Sequence, residues 1–349
     1  GPIAIIALIF VDYLSRFLGV EVVPRAQQFW SVGLVIGLTL VNVVGVRRGA
    51  GLAVVTTMLK VLVLVAVVIC GLWLQAENPV AEVAAQAPKP KGDGSWWLVI
   101  PGLIPVLFSY GGWQQGTYLA GEVRDPGRNL PRGIIGGVGA VVLLYGLYNL
   151  ALVLTLSPSD MVATQAPAAD AMGRLLGPWA ARATGLAVAV SAFGVASVCI
   201  MTAPRLYKAM ADDGCFFAAV GAVHPRFGTP ANAVILQGSI SAALILVAGF
   251  DGIDYLTTGV VCVDWIFFLL TGISLFILRR RIPDAPRPYR ATGYPVLPGL
   301  FVVFAAVAVV GSFVDPTMRE ASIVAVAVVV TGILSYFGFK KKSAPRSSD

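Results

Sequence analysis

An all-α membrane protein of about ten spanning helices is the fold class this sequence predicts, and three observations carry that prediction. Of the 349 residues, 57% are hydrophobic and only 12% are charged, about half the charged share of a typical soluble domain. Mean hydropathy is +0.83. The apolar residues fall in runs long enough to cross hydrocarbon, and the basic residues alternate between the loops that join them.

About 20 apolar residues make a spanning helix. By that rule ten runs qualify: roughly 2–18, 29–46, 51–74, 96–121, 132–156, 178–204, 230–250, 255–278, 296–314 and 320–338. The stretch 165–176 reads as a short surface helix in a loop. One set of loops holds Arg47 and Arg48, Arg124, Arg128 and Arg132, Arg205 and Lys208, Arg226, Arg279 to Arg281, Arg287, Arg290 and Lys340 to Lys342, most of the 25 basic residues. The positive-inside rule puts these loops in the cytoplasm, and both termini with them. Trp73, Trp96 and Trp97 fall where a span meets the outer interface, as an aromatic belt does. Residues 1–338 are expected to form one transmembrane domain and 339–349 a disordered basic cytoplasmic tail. The chain opens Gly1-Pro2-Ile3, without Met and without a basic lead or cleavage site, which reads as a missing natural N-terminus rather than a signal peptide.

Composition also narrows the function classes. The net charge of +7 sits in short loops between apolar runs, where membrane topology accounts for it, so no nucleic-acid partner is expected. Cys70, Cys199, Cys215 and Cys262 form no CxxC pair, and no metal site or disulfide is expected of them. His224, the one histidine, sits in the loop His224 to Pro230 and reads as loop structure. Nothing resembles a nucleophile elbow, a metal cluster or a phosphate loop. Gly133, Gly136, Gly137 and Gly139 read as helix-packing residues, not a dinucleotide site. The chain is not expected to be an enzyme or to hold a cofactor.

The informative stretch is Leu107-Phe108-Ser109-Tyr110-Gly111-Gly112-Trp113, in the fourth run. A glycine pair there can serve close helix packing. It can equally break the helix, and a break in lipid must have its freed backbone groups satisfied by protein, cavity or ligand. The flanking hydroxyls and aromatic faces of Ser109, Tyr110 and Trp113, and a position near the midplane, favour a binding site. Unwound carbonyls there suit an ammonium group. A second half-helix starting near Trp113 would offer its positive end to an anion. Phe108, bulky and apolar beside the break, reads as a lid.

Two charges lie inside spans. Lys60 is about eight residues, or about 12 Å, into the third run. A lysine there costs about 2.5–3.5 kcal/mol on the insertion scale. It either snorkels or faces the bundle as a fixed cation or proton carrier. Asp264, in Val263-Asp264-Trp265, is either a structural partner or a pocket residue selecting the substrate. Asp12 and Asp254 lie closer to water and read as interfacial. In Glu122 to Pro131, Pro131 is expected to end one helix and start the next with Asn129 as its cap, and Glu122 to form part of an inner gate.

On these residues the chain resembles the amino acid–polyamine–organocation (APC) superfamily of secondary transporters, closest to its L-type amino acid transporter branch. The strings Phe108 to Trp113, Glu122 to Pro131, His224 to Pro230, and Pro286 to Arg290 with Gly293-Tyr294-Pro295 carry the resemblance. It implies a truncated form of the twelve-helix fold, with its two inverted five-helix repeats (5+5), lacking counterparts of helices one and two. It implies amino acid transport by alternating access, with substrate at Phe108, Ser109, Tyr110, Gly111, Gly112, Trp113 and Asp264, gating by Phe108 and Glu122, and Lys60 in the place of a sodium site as the coupling residue. Ser191 and Ser197 are expected to face the same site. A multi-pass protein of the plasma membrane, coupled to protons or working as an exchanger, is the implied setting. A transport-inactive fragment, a channel and a membrane-embedded enzyme are the other readings, and the amino acid carried and any partner subunit stay open.

Overall fold

The computed structural model describes residues 1–20, 22–44, 46–74, 99–118, 120–249 and 252–340. Among these residues the spans are helical, with one interruption in the fourth. The helices are α1 (Pro2–Leu18), α2 (Pro24–Val44), α3 (Val46–Trp73), α4 (Val99–Ser109), the four-residue α5 (Gln115–Tyr118), α6 (Pro126–Thr155), α7 (Pro158–Ala163), α8 (Pro167–Leu176), α9 (Pro178–Asp212), α10 (Ala218–Gly221), α11 (Ala231–Ala248), α12 (Ile253–Arg281), α13 (Val296–Val314) and α14 (Pro316–Lys340). Proline opens many of them, because its missing N–H is one the first turn leaves unpaired anyway.

Among the described residues eight helices are long and apolar enough to cross a membrane: α2, α3, α6, α9, α11, α12, α13 and α14. With α1, which has 17 residues, and the interrupted fourth run, they account for the ten expected runs. Several boundaries extend past the apolar stretch. α3 starts at Val46, so Arg47 and Arg48 lie in its first turn, and α9 continues through Pro204 to Asp212. The chain is a multi-pass membrane protein. Residues 341–349, most of the expected tail, lie outside the described residues, as do residues 75–98.

Two expectations are corrected. Pro131 does not separate two helices. α6 starts at Pro126, with Asp125 before it at φ 46°, and Pro131 lies inside the helix. Nor does Asn129 cap it: its side-chain amide donates to the carbonyl of Arg124 at 2.7 Å. Proline serves well at the first helical position, and Pro126 takes that place. Residues 165–176 do form a helix, but not simply a surface one. Ala168, Ala169, Ala171 and Met172 of α8 are buried, with Met172 packed on Val67 and Ala180. The loop before it is tied down: a hydrogen bond from the Ser157 hydroxyl, helped by Arg174 at 2.6 Å, holds the Asp160 carboxyl below its ordinary value.

The main core joins α1, α2, α9 and α11 through Ile3, Ala4, Ala7, Leu8, Val35, Leu38, Ala196, Ile200, Val234 and Ile245. Beside it α12, α13 and α14 pack on one another. Small residues set the closest crossings, as they do where lipid supplies no hydrophobic drive between helices. A Cβ on Gly238 of α11 would overlap the Thr39 hydroxyl of α2, and one on Gly194 of α9 would overlap Thr56 of α3. Buried hydroxyls in these helices turn back onto their own backbone: Thr39 onto Val35 O at 2.6 Å, Thr155 onto Ala151 O at 2.8 Å and Ser241 onto Gln237 O at 2.9 Å. That satisfies them where water is absent.

We predict that Gly238→Ala destabilises the fold by about 1–3 kcal/mol through overpacking, read as a lower thermal unfolding midpoint in detergent. Adding Thr39→Ala removes the overlapping hydroxyl and is expected to recover much of that loss. A Gly238→Ala protein as stable as the parent would show that the crossing is not tight.

Candidate functional site

The fourth run is broken where the glycine pair lies. α4 ends at Ser109 and α5 begins at Gln115, with residues 110–114 in turns. Val99 to Ser109 is 11 residues, or about 16 Å of helix, close to half of the ~30 Å hydrocarbon core. Gly112 has φ 106°, a conformation that L side chains avoid.

The backbone bonding shows what the break frees. In a continuous helix the amides of Gly111, Gly112 and Gln115 would bond to the carbonyls of Leu107, Phe108 and Gly111. Instead Gly111 N–H bonds to Phe108 O at 3.0 Å, Gly112 N–H to the side-chain oxygen of Gln114 at 2.8 Å, and Gln115 N–H to Gly112 O at 3.0 Å. The carbonyls of Leu107 and Gly111 thereby lose their helical donors. The Ser109 hydroxyl donates within its own helix to Pro105 O at 2.8 Å, so it can meet a ligand there as an acceptor but not as a donor.

The far side of the break differs from the expected half-helix. α5 is only four residues long, starts at Gln115 rather than Trp113, and passes into a 3₁₀ turn at Ala120–Glu122. One turn cannot sum a macrodipole of any size, and the best-placed amide, that of Gly112, is already taken by Gln114. The amides of Trp113 and Gln114 make no hydrogen bond among the described residues, so the break leaves donors as well as acceptors unmatched. It presents backbone oxygens, which suit a cation or an ammonium group.

Aromatic rings wall the break. Tyr110 meets Tyr145 of α6 edge-on, with centroids 5.3 Å apart. Trp113 lies over Phe268 of α12 at 5.0 Å, and Phe268 meets Trp265 edge-on at 5.6 Å. α4 packs on α12 and α13, and α5 on α6 and α9. A hydrogen bond from Thr202 of α9 to the side-chain oxygen of Gln115 fixes α5 to α9. Phe108 is half-buried, whereas Gly111, Gly112 and Trp113 are exposed.

The two mid-span charges come from different helices, Lys60 from α3 and Asp264 from α12. Asp264 sits on α12, four residues before Phe268, and Tyr118 of α5 is within its electrostatic reach. Lys60 is within electrostatic reach of Cys199 of α9, which also neighbours the Gly1 amino group. Among the described residues neither makes an ion pair, and they do not pair with each other. Ser197 is buried and Ser191 half-buried in α9. The Glu122 side chain, on which a gate was expected, lies outside the described residues. Asp12 is paired with Arg16 at 2.9 Å. His224 stacks on Phe227 at 4.6 Å and accepts from Arg226 N–H, inside a turn that Thr229 ties to Val43 O of α2 at 2.7 Å.

Sequence reasoning missed Gln114, Gln115, Thr202, Tyr145 and Phe268. The adjacent glutamines, polar and immediately after the glycine break in an apolar run, were the available signal. The partners on α6, α9 and α12 carried none.

Known proteins resemble this chain over most of its length. The family profile described as "Amino acid permease" matches residues 2–334. The serine/threonine exchanger SteT of Bacillus subtilis is 26% identical over 90% of this chain and 72% of its own length. The b(0,+)-type amino acid transporter 1 of Rattus norvegicus is 26% identical over 96% of this chain and 68% of its own length. The large neutral amino acids transporter small subunit 2 of Homo sapiens is 28% identical over 96% of this chain and 62% of its own length. The chain thus spans about two thirds of the length of the relatives it matches. These relatives are transporters and exchangers rather than enzymes.

Gly112→Ala is predicted to cost about 1–3 kcal/mol, because alanine must adopt the positive φ. The space around the position is open, so the loss would be conformational, not steric. A thermal unfolding midpoint unchanged from the parent would mean that the turn is not held in this geometry.

Proposed function

Because this chain belongs to the amino acid permease family, we propose that it forms the substrate-binding and gating part of an amino acid transporter working by alternating access. The observation that carries the reading is the helix interruption at residues 110–114, halfway through a membrane span, with backbone oxygens unmatched beside it. In this reading the amino group of the substrate is held by those oxygens, Tyr110, Gly111, Gly112 and Trp113 form the pocket floor with Ser109, and Phe108 closes over it. The two halves of the fold then rock about this fixed point.

Asp264 supplies a carboxylate near the same break and selects among substrate side chains. Lys60, lodged against α9 and without an ion pair among the described residues, acts as a built-in cation that replaces a sodium ion. This supports exchange or proton-coupled uptake at the plasma membrane, with both termini on the cytoplasmic side, as the basic loops suggest. Glu122 completes the inner gate.

Two experiments in proteoliposomes test the proposal. Gly111→Val is expected to abolish substrate binding, since a Cβ there would sit 3.0 Å from Phe108 O and larger groups would fill the break; normal affinity would remove the site from this place. Lys60→Ala is expected to lower uptake at least tenfold with folding retained. Unchanged transport with an unchanged pH profile would defeat the coupling role.

A further inference from the structure

Away from the helix break, the basic end of α12 and the loop after it form a groove of about 730 Å³ lined by Arg279, Asp284, Arg287, Arg290 and Tyr294 among others. Three guanidinium groups face one carboxylate there. Topology alone accounts for arginines at the end of a span, and Arg287 already serves the fold. It donates to Pro283 O and to Ile282 O at 2.6 Å, closing the C-terminal end of α12.

Arg279 and Arg290 are not used that way. The Arg279 guanidinium lies 3.8 Å above the ring of Tyr294, and Phe276 meets Tyr294 at 5.4 Å, holding that ring in place. The Arg279 Nε is buried and has no hydrogen-bond partner, which is costly for a charged donor unless something supplies an acceptor. Arg290 is exposed and makes no hydrogen bond among the described residues. The loop is seated against α6, because a Cβ on Gly127 would lie 2.7 Å from Pro288, so the groove does not rest on a loose segment. Near it in sequence Ile277 and Leu278 close to the end of α12, and Val296 and Leu297 at the start of α13, are exposed.

We propose that this groove binds the phosphate of an anionic phospholipid, with Arg279 and Arg290 on the phosphate oxygens and the acyl chains lying along the exposed apolar side chains. An arginine fork matches phosphate geometry, and basic pockets beside spans on the basic side take lipid headgroups. The apolar rim decides for a lipid over a free phosphate, since a soluble anion would have no use for it. The assignment is independent of the transport reading.

Native mass spectrometry of the detergent-purified protein tests it, with phosphatidylglycerol, phosphatidylcholine and glycerol 1-phosphate as probes. Phosphatidylglycerol is expected to be retained at least tenfold more tightly than phosphatidylcholine. Arg279→Gln with Arg290→Gln should erase that preference, and Arg290→Gln alone should weaken it about threefold without touching a contact the fold uses. Arg226→Gln, a loop arginine on the same side, should leave it intact. Equal retention of the two lipids, a double variant that binds as the parent does, or glycerol 1-phosphate competing as strongly as the lipid would each overturn the proposal. Should the double variant misfold, the lipid preference of the parent and the single variant still decide.

Discussion

In hydrocarbon a backbone N–H or C=O has no water to turn to, and this constraint governs the rest of the molecule. It makes the chain helical wherever it crosses, sends buried hydroxyls of threonine and serine back to carbonyls four residues earlier, and makes any interruption conspicuous. At the interruption at residues 110–114 three displaced amides find new acceptors nearby, Phe108 O, the Gln114 side chain and Gly112 O. The amides of Trp113 and Gln114 make no hydrogen bond among the described residues, and the carbonyls of Leu107 and Gly111 lose their helical donors. The break therefore leaves both donors and acceptors of the backbone unmatched.

Much of the fold could be read from the sequence, because hydropathy and length decide spans almost alone. Val296–Val314 matches the apolar run to the residue. Edges were harder. α3 and α9 run on past their apolar stretches through Arg47, Arg48, Pro204 and Arg205, since a helix end in the interface tolerates charge and a proline late in a long helix loses only one bond. The proline reading at 126–131 failed for a related reason: two prolines competed for the first helical position, and composition does not rank them. The glycine pair announced the break. Its walls did not announce themselves, because Tyr145, Thr202 and Phe268 reach it only through packing between helices far apart in sequence.

The two mid-span charges show why distance along the chain says little about partnership. Lys60 and Asp264 could neutralise one another in lipid, and a bundle built for stability alone would bring them together. Here they do not pair: Lys60 is within electrostatic reach of Cys199 on α9, and Asp264 within reach of Tyr118 on α5 and of the Gly1 amino group, which Cys199 also neighbours. Each is half-buried, and among the described residues neither makes an ion pair. Charges inside a span are expensive and often mark working sites in membrane proteins.

The Gln114 side chain sits on the Gly112 amide as a resident stand-in for an anionic oxygen. A visiting carboxylate can claim that amide only by evicting the stand-in, so the net gain is the difference between two hydrogen bonds rather than the whole of one. In the proposed transport cycle this makes a shallow well, from which cargo is released on the opposite side of the barrier rather than stored halfway.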